Sequence, residues 1–161
     1  MKRIELTHGK HTLVDDEDYE WLNQWNWNLR KLNNGHEYAG RTVNMGNNKY
    51  KTILMHRLIL GTTKKMKTDH ANHNTLDNRK KNLRICSTAQ NRMNAKKHKV
   101  SESRYKGVRK SLKKWRAHIK FNGILINLGT FNLEKEAAIA YDIKAKELFG
   151  EFAYLNFKGV M

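Results

Sequence analysis

The chain has 161 residues, 32 of them Lys or Arg against 15 Asp or Glu, for a net charge of +17. Hydrophobic residues are only 39% of the total, yet five Phe, four Trp and six Tyr suffice for one or two modest cores, which excludes a disordered chain. No apolar run of about 18 residues could span a bilayer, and the single Cys86 excludes an internal disulfide framework or a multi-cysteine zinc site.

Such an excess of cations needs an anionic partner, nucleic acid first and an acidic membrane surface second. The N-terminal stretch has no apolar segment of the signal-peptide kind, so a soluble, cytoplasmic protein is expected. Proline is absent, and turns must rest on Gly, Asn and Asp.

Residues 4–54 read as a small α+β unit. The acids Asp15, Asp16, Glu17, Asp18 and Glu20 suit the positive first turn of a helix leading into Trp21, Leu22 and Trp25. Trp27 to Leu32 and Tyr38 to Val43 flank Asn33-Asn34-Gly35, a hairpin signal. Tyr50, Thr52 and Leu54 alternate with Lys51 and Ile53, predicting a further strand. Met55 to Leu60 then reads as a short helix stopped by Gly61.

Charge is uneven along the chain. Residues 56–100 hold 12 basic and 2 acidic residues, whereas residues 1–55 are nearly neutral with 8 and 7. The same middle segment concentrates Asp69, His70, His73, Asn74, Asp77, Asn78, Asn82, Asn91 and Asn94. Phosphodiester hydrolysis needs a base for water, a hard cation against phosphate charge, and a stabilised leaving oxygen. Imidazole titrates near neutrality, and carboxylate or amide oxygens suit magnesium. Asp69 and His70 offer one ligand and one base. In a regular strand these neighbours point to opposite faces, so joint service requires a bend or a strand end there. His73 is an alternative ligand, and His56 either buttresses the site or packs beneath its helix. Ser87 with Gln90 forms a capping-box signal, which puts Asn91 and Asn94 on one face of a basic helix. Asp77-Asn78 reads as turn chemistry and Cys86 as a small buried residue.

Residues 95–104 are polar and read as a linker, with a domain boundary near residue 100. Beyond it, Lys114 to Phe121 alternates strictly: Trp115, Ala117, Ile119 and Phe121 fall on one face, Lys114, Arg116, His118 and Lys120 on the other. Asn122-Gly123 is a two-residue turn signal that pairs Phe121 with Ile124, Ile119 with Ile126 and Ala117 with Leu128. A third strand is expected from Tyr105 to Arg109. Asn132 is the expected N-cap of a helix over Leu133 to Leu148, with Gly150 at its end. The unit is thus a three-stranded antiparallel sheet packed on one helix, with its cationic face suited to the major groove.

Two resemblances follow. Asp69-His70, Leu76-Asp77-Asn78-Arg79, Asn82-Leu83-Arg84 and Asn91 resemble the HNH nucleases, in the phage homing-endonuclease branch whose motif ends in Asn. The spacing from His70 is 12 residues to Asn82 and 21 to Asn91. That resemblance implies a ββα-metal nuclease domain over residues 1–100, with its catalytic core at about 55–97. In it His70 is the general base, Asp69 and Asn91 hold Mg2+ or Mn2+, and Asn82 braces the loop between the strands. Tyr105-Lys106-Gly107-Val108-Arg109, Trp115-Arg116-Ala117-His118-Ile119, Leu128-Gly129-Thr130-Phe131, Ala140-Tyr141-Asp142 and Leu155-Asn156-Phe157 are similar to the plant APETALA and ethylene-response-factor DNA-binding domain; the match covers about residues 103–158 and implies such a domain over residues 101–161. In that family the sheet reads duplex DNA, and Lys106, Arg109 and Lys120 match contacting positions. His118 and Asn127 stand where Glu and Trp are usual, and Leu125 replaces a base-contacting Arg.

The sequence therefore predicts an α+β, two-domain, metal-dependent DNA endonuclease with no organic cofactor and no membrane partner, acting as a monomer on double-stranded DNA. A phage-infected bacterial cell is implied by resemblance alone. Arg57, Lys80, Lys81, Arg84, Arg92, Lys96 and Lys97 are expected on phosphates, joined by Lys106, Arg109, Lys114, Arg116, His118 and Lys120 from the second domain. The competing readings are a DNA-binding regulator with a decayed nuclease site, and an RNA-binding protein.

Overall fold

A computed structural model describes residues 1–32, 35–63, 65–97 and 102–157. The protein is α+β, with small antiparallel sheets and four α-helices among the described residues. Its contacts divide it into two compact units, Met1–Thr88 and Ala89–Met161.

In the first unit β1 (Lys2–Glu5) pairs antiparallel with β2 (His11–Val14), Lys2 opposite Val14. Helix α1 (Asp16–Leu22) follows, its first turn carrying Asp16, Glu17 and Asp18 where the helix dipole favours anions. Trp21 and Trp25 meet edge to face at 6.0 Å although the helix has ended between them. Strands β3 (Asn28–Lys31), β4 (Glu37–Asn44) and β5 (Tyr50–Leu54) form a sheet in that order. The Asn33-Asn34 part of the expected hairpin turn lies outside the described residues. Helix α2 (Met55–Ile59) ends as expected at Gly61, which adopts φ +58°. Strand β6 (Lys67–His70) pairs with β7 (Leu83–Cys86). Ile4, Leu6, Val14, Leu22, Trp27, Ala39 and Met55 form the core, so β1, β2, α1, the central sheet and α2 all turn their apolar sides to one centre.

Helix α3 (Thr88–Met93) has its first residue in the first unit and the rest, from Ala89, in the second. The stretch up to Lys97 groups there, ahead of the expected boundary near 100, because Met93 packs against the core of Ile119, Tyr141, Ala145 and Phe149. Part of the expected linker, residues 98–101, lies outside the described residues.

Strands β8 (Val108–Ser111), β9 (Lys114–Phe121) and β10 (Ile124–Phe131) form an antiparallel sheet ordered β10-β9-β8. The third strand therefore starts three residues later than expected. The hairpin register agrees at Phe121–Ile124 and Ile119–Ile126, then shifts: Ala117 faces Gly129, not Leu128. The cause is a bulge between Asn127 and Gly129. The Asn127 side-chain oxygen accepts the Gly129 N–H at 3.2 Å, and Gly129 takes φ +120°, a conformation that only glycine adopts readily. Helix α4 (Glu134–Phe149) packs its Ala137, Ala138, Tyr141 and Ala145 inward. Its N-cap is Leu133 rather than Asn132: the Glu136 carboxylate reaches back to accept the Leu133 N–H at 3.3 Å. Buried Asp142 accepts the Asn156 and Phe157 N–H groups, each at 2.9 Å, and Asn156 in turn bonds the Lys106 backbone at both its N–H and C=O. Asp142 and Asn156 thus tie residues 156 and 157 to the turn before β8. No described helix is long and apolar enough to cross a membrane.

Candidate functional site

The β6–β7 hairpin places Asp69 directly opposite Arg84 and His70 opposite Leu83. The Arg84 guanidinium donates to Asp69 Oδ2 at 2.5 Å, with both side chains largely shielded from water. His70 is the last residue of β6, so the strand ends where the sequence demanded a change of direction, and both Asp69 and His70 are buried.

The loop from 71 to 82 is held from within. Asn82 Oδ1 accepts the Asn72 N–H at 2.9 Å, Asn82 Nδ2 donates to the Asp77 carbonyl at 2.7 Å, and the Asn82 carbonyl accepts the Ala71 N–H at 2.9 Å. Asp77 accepts both Arg79 Nε and Nη2 at 2.6 Å and Asn72 Nδ2 at 2.9 Å. The Arg79 guanidinium is the main reason the Asp77 carboxyl sits below the usual carboxylate range. Asp77 and Asn78 are buried, so these residues do more than make a surface turn. The loop also joins β2: Leu13 donates to the Leu76 carbonyl and Asn78 donates to the Leu13 carbonyl, both at 2.8 Å.

His70 has a defined ring environment. Its Nε2 lies 3.2 Å from Asn78 Oδ1, and the His56 ring stands edge-on at 5.0 Å. Tyr38 from β4 contacts both imidazoles, at 5.4 Å from His56 and 6.1 Å from His70. Burial pushes the His70 pKa below its ordinary value, opposed by the Asn78 hydrogen bond and the Asp69 and Asp77 charges. Burial, with His70 and Arg57 adding to it, lowers His56 to about 3. Tyr38 is raised, by burial and then by the Asp69 charge. Near neutral pH both imidazoles are therefore uncharged, the form in which a histidine accepts a proton. Between the two alternatives for His56, the structure sets its ring against His70. Tyr38, Thr12 and the Arg84 pairing were not singled out in the sequence; they lie 14 to 58 residues from His70, and no local spacing signals them.

Asn91 lies exposed on α3, in the second unit, whereas Asp69 and His70 belong to the first. Asn94 is buried just past the helix end, its N–H on the Gln90 carbonyl at 3.2 Å. His73 sits in the loop at φ +63°. Among the described residues, no group of three or more His, Cys, Asp or Glu is placed to hold a metal ion. The expected donors are instead a carboxylate and an amide oxygen, hard ligands of the kind magnesium takes in small number alongside water. Asp69 is already paired with the Arg84 guanidinium, so a divalent cation on its carboxylate would have to share it with that charge.

The expected phosphate contacts divide by environment. Lys81, Arg92, Lys96, Arg109, Lys114 and Lys120 are exposed. Across the sheet Arg109 faces Arg116, His118 faces Asn127 and Lys120 faces Leu125. Burial and then the Arg109 charge lower the His118 pKa. Other candidates are occupied: Lys80 Nζ pairs with Glu17 at 2.6 Å and Asp18 at 3.3 Å, Arg57 donates to the Thr63 carbonyl, and Arg84 holds Asp69. Lys106 turns inward, donating to the Met93 and Ala95 carbonyls at 2.7 Å each, and burial lowers its pKa to about 8.

An uncharacterised HNH endonuclease of Acanthamoeba polyphaga mimivirus is 42% identical over 89 residues, 55% of this chain and 46% of the viral protein. Dehydration-responsive element-binding protein 2D of Arabidopsis thaliana is 47% identical over 55 residues, 32% of this chain and 27% of the plant protein. The chain thus spans less than half the length of either relative. No family model matches it, and no solved structure does.

Proposed function

We propose that this chain is a divalent-cation-dependent HNH endonuclease of the ββα-metal kind acting on duplex DNA, with a C-terminal sheet that binds DNA. The observation that carries the reading is a buried imidazole, His70, at the end of a strand whose preceding residue is a cation-paired carboxylate. The partial likeness to a protein named an HNH endonuclease supports it.

In this reading His70 removes a proton from water and the resulting hydroxide attacks phosphorus in line, leaving 5′-phosphate and 3′-hydroxyl ends. Asp69 and Asn91 are the residues assigned to the cation, Asn91 by resemblance. A cation there supplies charge stabilisation to the phosphate and the departing oxygen. Asn82 keeps the loop after His70 in shape through its three hydrogen bonds. Arg109, Lys114, Arg116, His118 and Lys120 line the sheet face assigned to DNA, and one chain acts at each site.

A supercoiled-plasmid assay with and without magnesium tests this. Wild type should nick only with the cation, and His70→Ala should lose nicking while retaining DNA binding. Equal cutting by the variant would remove His70 as the base. A second reading, a DNA-binding regulator without catalysis, is favoured by the likeness to a plant element-binding protein. Absence of nicking across metals and targets would favour it.

A further inference from the structure

We propose that Thr12, on β2 and 58 residues from His70 in sequence, is a positioning residue that sets the tautomer of the His70 ring through Asn78, leaving Nδ1 as the proton-accepting nitrogen. The inference rests on His70 being the general base.

The argument is one of counting protons. Thr12 Oγ1 lies 2.7 Å from the Leu76 carbonyl oxygen. A carbonyl has no proton, so the single Thr12 hydroxyl proton must lie between them. The Thr12 oxygen is then only an acceptor towards its other neighbour, the Asn78 side chain at 2.8 Å. That neighbour must therefore be the Asn78 amide nitrogen, a donor, and not its oxygen. The same nitrogen lies 3.6 Å from Met55 Sδ, a weak acceptor, which agrees with the assignment. The Asn78 oxygen is left facing His70 Nε2 at 3.2 Å. An amide oxygen accepts only, so Nε2 must carry the ring proton, and in the uncharged imidazole Nδ1 is the basic site.

Burial makes this chain binding rather than optional. Thr12 and Asn78 are completely buried and His70 is 5% exposed, so water cannot substitute for a misdirected partner. The Asn78 backbone is fixed as well, its N–H on the Leu13 carbonyl next to Thr12 in β2. The Leu76 carbonyl also accepts the Leu13 N–H at 2.8 Å, so it keeps a donor when the Thr12 hydroxyl is removed. A near-isosteric Thr12→Val change therefore deletes the directing proton while leaving that carbonyl satisfied.

The test uses full-length protein labelled with 15N-histidine, read by long-range proton–nitrogen NMR of the imidazole rings, with His70 identified by its loss in His70→Gln. Wild type and Thr12→Ser should show the Nε2–H tautomer at His70, and both should nick plasmid at comparable rates. Thr12→Val should show a mixed or Nδ1–H ring and nick about tenfold more slowly or worse, the usual scale for losing a group that orients a functional histidine. A wild-type Nδ1–H ring overturns the proposal. So does a Thr12→Val protein that keeps both the wild-type tautomer and the wild-type rate. Should Thr12→Val fail to fold, the wild-type spectrum decides: Nε2–H supports the assignment and Nδ1–H refutes it. A wild-type protein with the Nε2–H ring that never nicks would remove the nuclease reading while leaving the Thr12–Asn78 assignment standing.

Discussion

His56 should make this protein acid-sensitive in a window above that of its carboxylates. The ring is 5% exposed and its pKa falls from 6.5 to about 3 in the folded state, chiefly through burial. The unfolded chain takes up a proton on this ring as pH drops through 6.5, whereas the folded chain refuses it until about 3. Between those values the unfolded state holds more protons, so its share grows as pH falls. The contribution is fully present above pH 6.5 and is lost progressively toward 3. From about pH 7 to about pH 4.5 the loss is roughly 2.5 kcal/mol for this one ring, from the linkage relation at about 1.4 kcal/mol per pH unit. Urea unfolding followed by tryptophan fluorescence at those two pH values measures it, since Trp21, Trp25 and Trp27 flank the same core. His56→Phe keeps an aromatic ring against Tyr38 and His70 but has no titrating nitrogen. Its stability should fall less than that of wild type over the same interval, by about that amount. His70 moves in the same direction and stays in both proteins, as do the carboxylates, so the difference reports His56 together with its coupling to His70. Equal losses in the two proteins would refute the reasoning.

Gly107→Ala should be costly, because Gly107 has φ +74° and an added Cβ would lie 1.9 Å from the Tyr141 ring. The left-handed backbone and the overpacking together predict about 2–5 kcal/mol, visible as a lower thermal midpoint. Arg84→Met leaves the Asp69 carboxylate without its guanidinium partner and should destabilise by about 3–5 kcal/mol, checked by denaturant titration. Lys106→Met removes two donors from the Met93 and Ala95 carbonyls, so amide exchange over residues 91–97 should speed up while β9 stays protected. DNA binding should weaken steeply with salt, and Arg116→Ala should reduce the log–log slope by about one, measured by fluorescence anisotropy.

Much of the second unit was legible in the sequence because its signals are local. Strict alternation from Lys114 to Phe121 and the Asn122-Gly123 turn predict β9, β10 and the side of the sheet that is buried, and the structure agrees. The same reasoning placed Leu128 opposite Ala117, since a period of two knows nothing of an inserted residue; the Asn127–Gly129 bulge is set by one side-chain hydrogen bond. The cap of α4 moved from Asn132 to Leu133 because the Glu136 carboxylate closes the turn from the other side.

Charge distribution, the Asp69-His70 pair and the spaced asparagines could be read without coordinates, as could the chemistry such residues permit. What surrounds them could not. Arg84 counts equally as a phosphate contact or an internal counter-ion in a sequence, and only the antiparallel register set it opposite Asp69. Lys106, expected from the sequence to contact DNA, points instead at the carbonyls beyond α3. Tyr38 and His56 come from separate elements, β4 and α2, and meet His70 because the first core draws those elements together. Residue type and short-range period are properties of the chain, whereas the direction of a buried polar group depends on partners that arrive only when distant segments pack.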